Sequence, residues 1–373
     1  MLDAAADGLT EALASGRSVT VGRIAAELLR VSGGWPWPAP GGDPSALLEL
    51  LWRAVDSVDG DPAAGARVRA ALAVGSCYHP DPTVVAGLLG QADALAAATG
   101  DPDVTADVLL GRLIAYSGVS AYSRASLRWA DELIALSHSR GREDSVTAHS
   151  VATMATFNLA DLPATRAHLQ AGITGSEQLR LPVLRVQLRW LEAVLAVWEG
   201  DFAEARRHHR IAAAVHGQTE LYGAGSALLA LASLLREEGD LSGDGIPFDD
   251  HRDDGGEEMI AVVRTAICAT SEEAVALAAF GLGDAHVWSA LGRAALMAHL
   301  CADFHLADYA SEVLARLDGH RDEIAVIGQV GVIGPVALAT ARLHALLGDT
   351  DAARCDLEHA RQIAQRGGGV PSL

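Results

Sequence analysis

One short phrase recurs along this chain and limits its fold more than any other feature. A helical stretch closes on Gly or Ala, an Asp follows, then a residue that is mostly apolar, and a second Ala-rich stretch begins. The phrase stands at Ala160-Asp161-Leu162, Gly200-Asp201-Phe202, Gly239-Asp240-Leu241, Ala302-Asp303-Phe304 and Gly348-Asp349-Thr350. Its spacings are uneven but of the order of the ~34 residues of a tetratricopeptide (TPR) repeat, with the extra residues falling in loops. The physics is that of a helix-turn-helix pair. Gly relaxes the backbone where one helix ends, and Asp accepts hydrogen bonds from the orphan amides that open the next. Small residues such as Ala205, Ala307 and Ala353 let the two helices approach closely. Each hairpin leaves an apolar face uncovered, so neighbours must stack. The expected fold is all-α: a TPR-like helical-hairpin superhelix, an α-solenoid running as one domain over residues 1–373, with about sixteen to nineteen helices.

Composition agrees. Half of the residues are hydrophobic but only 5% are aromatic, and Ala and Leu, both strong helix formers, dominate. No window reads as a strand, and Val326–Ile333, short, apolar and Gly-rich, is read as a loop between helices at 304–317 and 334–347. The first helix reads as the second half of a hairpin. Two segments interrupt the array. Residues 33–43 form a Pro/Gly-rich connection carrying Trp35 and Trp37, read as a rigid, extended crossing. Residues 239–258 form an acidic insertion read as a mobile, solvated loop; it lacks the alternating acids of a calcium loop.

The formal charge is −20, which repels nucleic acid and anionic membranes. No direct nucleic-acid binding and no membrane attachment are expected. The basic residues are all Arg, so lysine chemistry is excluded. Cys77, Cys268, Cys301 and Cys355 are scattered without CxxC spacing and read as free thiols. The start of the chain has neither a basic n-region nor an apolar core, which points to a cytoplasmic protein.

Several stretches are familiar. Leu181 to His216 (LPVLRVQLRWLEAVLAVWEGDFAEARRHHRIAAAVH), Gly334 to Gln365 (GPVALATARLHALLGDTDAARCDLEHARQIAQ) and Ser32 to Leu51, with its GGW opening, resemble the TPR-like C-terminal region of actinobacterial transcriptional regulators of the LuxR and SARP types. The resemblance covers nearly the whole chain. It implies a sensor or regulatory arm that binds an effector or a partner protein. The regulators' nucleotide-binding loop, GxxxxGK[ST], is absent, as is a helix-turn-helix. The chain is therefore either a piece of such a regulator or a stand-alone relative, which would fit an enzyme or ligand-binding protein of natural-product (secondary metabolite) biosynthesis.

In a TPR the first helix of each hairpin lines the concave face. Anchoring that register on the Gly-Asp phrases selects Met154, Phe157 and Asn158, then Gln187, Trp190 and Trp198, then Arg236, and later His299 and Arg342. An apolar, aromatic surface with a few polar points is the usual chemistry of a small-molecule or peptide pocket. No catalytic constellation accompanies it. His208 and His209 are adjacent and diverge by ~100° on a helix, so they cannot share a metal. His299, Cys301, Asp303 and His305 match no zinc spacing, and Cys77-Tyr78-His79 offers a nucleophile and a base with no third orienting group. No metal or cofactor is expected. The expected partner is a small-molecule effector, a peptide or a protein, with a homo-oligomer open.

Overall fold

The computed structural model describes residues 2–31, 33–38, 43–216, 225–240, 256–328 and 330–369. Most of the acidic insertion, residues 241–255, and residues 39–42 of the Pro/Gly connection lie outside the described residues. Among the described residues there are eighteen α-helices, a short 3₁₀ turn and one β-hairpin. None of these helices is long and apolar enough to cross a membrane. The chain divides into two compact units.

The first unit comprises residues 1–117, 125–152 and 171–184. It opens with α1 (Leu2–Ala14), α2 (Ser18–Val31), α3 (Ser45–Ser57), α4 (Pro62–Gly75), α5 (Pro82–Thr99) and α6 (Pro102–Ala115). The last three start alike. Asp61, Asp81 and Asp101 each accept a hydrogen bond from an amide of the first turn, with Pro directly after them, where its missing N–H costs nothing. α4 packs between α2 and α6, while α1 packs on α3. This alternation is that of stacked hairpins. Small residues permit it: a Cβ on Gly111 of α6 would stand 2.9 Å from the Cβ of Ala70 on α4. The Trp segment is held rather than free. The Trp37 indole donates to the Ala71 carbonyl at 3.1 Å, and its ring occupies the space that a side chain on Gly75 would need.

Four helices contribute residues to both units: α7 (Ser123–Arg140), α8 (Asp144–Asn158), α9 (Leu162–Gln178) and α10 (Pro182–Trp198).

The second unit comprises residues 118–124, 153–170 and 185–373. It adds α11 (Phe202–His216), α12 (Gly225–Glu237), α13 (Gly256–Ala266), α14 (Ser271–Phe280), α15 (Ala290–Asp303), α16 (Ala307–Leu317), α17 (Val336–Leu346) and α18 (Thr350–Gly367). α13, α15 and α17 pack in succession, with α14, α16 and α18 laid against them. The predicted TPR-like stacking of helical hairpins is therefore present.

The recurrent phrase folds as its chemistry requires. Ala160, Gly200, Gly239 and Gly348 adopt positive φ. The amide of the following Asp returns to a carbonyl five residues back, as in Asp201 to Ala196 and Asp349 to His344, both at 2.9 Å. Asp161, Asp201 and Asp349 then cap the next helix through the amides of Ala164, Glu204 and Ala352. The fourth copy departs from the expectation. α15 continues through Asp303, the positive φ falls on His305, and Leu306 occupies the cap position without a capping side chain. Asp303 is freed from capping and is used elsewhere.

A second departure is the stretch read as a loop. Ile324–Ile327 (β1) and Gly331–Pro335 (β2) pair antiparallel, with Ile324 opposite Pro335 and Ile327 opposite Gly331. Both strands are almost wholly buried. A continuous run of β-branched residues is what a strand buried on both faces looks like, and the intervening glycines disguised it. The hairpin packs on α12, α15, α17 and α18. Gly292 of α15 makes room: a Cβ there would lie 2.1 Å from Ile327 Cγ1 and 2.6 Å from the Val326 carbonyl.

Candidate functional site

Three of the nine residues selected from sequence meet in one cavity of the second unit. Arg236 lies in the last turn of α12, His299 in the middle of α15 and Arg342 on α17. With Glu237, Ile333 of β2, Leu338, Ala341 and Ala345 of α17, and Ala353, Arg354 and Leu357 of α18, they line a space of about 530 Å³, within the usual range of small-molecule pockets. The predicted first helices supply the polar end. β2 and α18 supply walls that a first-helix rule could not include.

The polar end is organised by Arg342. His299 and Asp303 stand four residues apart on α15 and so share a face. Arg342 spans them, donating Nη1 to His299 Nδ1 at 3.0 Å and Nη2 to the Asp303 carboxylate. A guanidinium has no lone pair to offer, so His299 Nδ1 is the acceptor and the ring proton is assigned to Nε2. His299 is 4% exposed. Burial first, and then the positive charges of Arg236 and Arg342, hold its pKa well below the ordinary value. It is a neutral imidazole presenting an N–H. Its Nε2 has no hydrogen-bond partner among the described residues.

Arg236 is less satisfied than Arg342. Its Nε is buried without a hydrogen bond among the described residues. The nearest carboxylate oxygen, on Glu237, is 3.8 Å away, and Nη1 reaches the Ala266 carbonyl only at 3.5 Å. Burial lowers its pKa against the opposing charges of Glu237 and Asp303. Arg354 stands at the exposed rim, paired with Asp351 at 3.2 Å.

The other six selected residues do not line this cavity. They are all buried and face the chain's own segments. Asn158 accepts from the Ser123 hydroxyl at 2.8 Å and donates to the Ile324 carbonyl at 2.9 Å, fastening β1. The Trp198 indole donates to the Gly367 carbonyl at 3.1 Å, and Phe157 meets its ring edge-on at 5.7 Å. Gly367 and Gly369 pack directly on Trp198. Met154, Gln187 and Trp190 are 2%, 1% and 0% exposed. Asp303, Ile333 and Leu357 were not selected from sequence. The first was assigned to a cap, the second to a loop and the third to an outer helix.

No family model matches the chain, and no curated protein matches it. Among solved structures it is similar to the crystal structure of aspartyl phosphate phosphatase F from Bacillus subtilis, with a TM-score of 0.49 and 9% identity, covering 100% of this chain and 96% of that one.

Proposed function

We propose that this chain is a TPR-like binding module whose ligand is a small molecule held in the cavity of Arg236, His299 and Arg342, acting as an effector for a regulatory arm. The observation that supports this reading is convergence. Residues far apart in sequence, on α12, α15 and α17, place hydrogen-bond donors at one end of a space whose walls are Ile333, Leu338 and Leu357. A few placed polar groups beside an apolar wall are what a small-molecule site needs for orientation and affinity. The resemblance of Leu181–His216 and Gly334–Gln365 to regulator arms supports the same reading.

Native mass spectrometry, combined with thermal unfolding against a metabolite library, tests it on the whole chain. The wild type is expected to retain a ligand or to gain stability from one. Ala341→Trp, which fills the cavity, is expected to lose that response while keeping its helical circular dichroism. An equal response in both proteins, or none in either, overturns the reading. A ligand returned with altered mass would move the protein to the alternative, an enzyme of natural-product biosynthesis. A stoichiometric protein partner in the mass spectrum would move it to a docking arm.

A further inference from the structure

We propose that the ligand of this cavity is a monoanionic amphipath, a carboxylate on an apolar body, with the carboxylate received by Arg236 and by the Nε2–H of His299. The inference rests on the reading that the cavity is the binding site, and adds the chemistry of what enters it.

The first argument is the inventory of hydrogen-bonding capacity. Among the described residues Arg236 Nε is buried without a hydrogen bond, its nearest carboxylate oxygen 3.8 Å away on Glu237, His299 Nε2 carries the ring proton, and Arg342 Nε makes no hydrogen bond. These unused groups are all donors. The Asp303 carboxylate is already engaged by Arg342, and the His299 acceptor nitrogen is occupied by the same guanidinium. A buried donor left without an acceptor costs free energy, so the complementary ligand brings acceptors.

The second argument is charge. Arg342 is paired with Asp303 and Arg354 with Asp351, whereas Arg236 faces the Glu237 carboxylate only at 3.8 Å, beyond hydrogen-bond reach. One ligand carboxylate supplies the close acceptor that the Arg236 guanidinium lacks. A second negative charge would find the guanidiniums of Arg342 and Arg354 already paired, and a cation would add to the positive field of Arg236 and Arg342 at His299. The third argument is shape: beyond the polar end the walls are aliphatic, which sets an apolar body behind the head group.

The test uses matched series on the full chain: aryl and alkyl carboxylic acids of four to twelve carbons, each with its methyl ester and its primary amine. Binding is read by isothermal titration at pH 7.5. At least one acid is expected to bind at least ~10-fold more tightly than its ester, as a charge-assisted hydrogen bond implies, with the amine weaker still. Arg236→Gln, and separately Arg342→Gln, should shrink the acid-to-ester ratio. Ala341→Trp should abolish binding of both. Since Arg342→Gln also removes the partner of Asp303, Arg236→Gln carries the argument if the former fails to fold. Esters or amines that bind as well as the acids, and that Ala341→Trp excludes, overturn the head-group inference and leave the cavity reading in place. Acids that bind Ala341→Trp undiminished are held elsewhere, and then both readings fall. So does the absence of binding by any member at millimolar concentration.

Discussion

The two units each bring arginines and acids together, and they leave them in different states. In the first unit Asp107, 1% exposed, accepts from Arg30 at 2.5 Å and from Arg142 at 2.6 Å through one oxygen, and from Arg67 at 2.6 Å through the other. Asp144 adds a second acceptor to Arg142 at 2.5 Å. Burial works against the charge of Arg142, but the hydrogen bonds and charges of Asp107 and Asp144 outweigh it and raise its pKa. The cluster ties α2, α4 and α6 to the start of α8, with guanidinium and carboxylate answering each other. In the second unit Arg342 is answered by Asp303 and His299, but Arg236 keeps a buried Nε with no hydrogen bond among the described residues, and it lines a cavity. The same residue types make a staple where acceptors match donors, and line a cavity where donors are left over.

The largest break in this comparison should come from Asp107→Asn. It leaves three arginines facing a neutral amide, and urea unfolding should report a loss of about 2–4 kcal/mol, less than a fully buried pair would give because the arginines are partly exposed. A value near zero would mean that the staple is ornamental. Next is Gly292→Val, which drives a side chain into Ile327 and the Val326 carbonyl. Overpacking of this kind costs about 1–3 kcal/mol, and because β2 carries Ile333 into the cavity wall, ligand binding should weaken along with the unfolding midpoint. Two aspartates from the same sequence phrase should then separate. Asp349→Ala removes a helix cap and should cost ~1 kcal/mol. Asp303→Ala removes none, should change stability by less than ~0.5 kcal/mol as a half-exposed surface site, and should instead alter ligand affinity. Equal costs would mean that Asp303 is structural after all.

The smallest effect is on pH dependence. The folded-state pKa of His299 is depressed, so below about 6.5, the unfolded value, the unfolded chain binds more protons than the folded one. Stability should be full above that pH and fall as the pH drops below it. His299→Gln should flatten the slope between pH 6.5 and 5. An unchanged slope would place the titration on other groups, such as His209, whose pKa burial also lowers.

Much of the fold was legible because its signals are local. A glycine that permits positive φ, an Asp that can cap, and Ala at close contacts act within a few residues, and Asp161, Asp201 and Asp349 do in the structure what their neighbours imply. The phrase at Ala302-Asp303-Phe304 misled because it is identical in type, yet the helix runs on to Asp303 and turns at His305. There the Asp303 carboxylate is held by Arg342, thirty-nine residues away, and not by a helix N-terminus. The β-hairpin was hidden for a related reason. Ile324–Pro335 is short and broken by glycines, and pairing and burial between helices make it a strand.

The candidate site divides in the same way. Periodicity could say which residues belong to first helices, and this was enough to select Arg236, His299 and Arg342 together with Phe157, Trp190 and Trp198. It could not say which of those positions the chain would cover with itself. β1 takes Asn158, the end of α18 takes Trp198, and the space beside Arg236 is left open. Helix identity and helix ends follow from backbone and side-chain preferences a turn or two apart, so the sequence determined them. Whether a buried polar group is answered depends on segments arriving from thirty or more residues away, and that was decided by the tertiary structure alone.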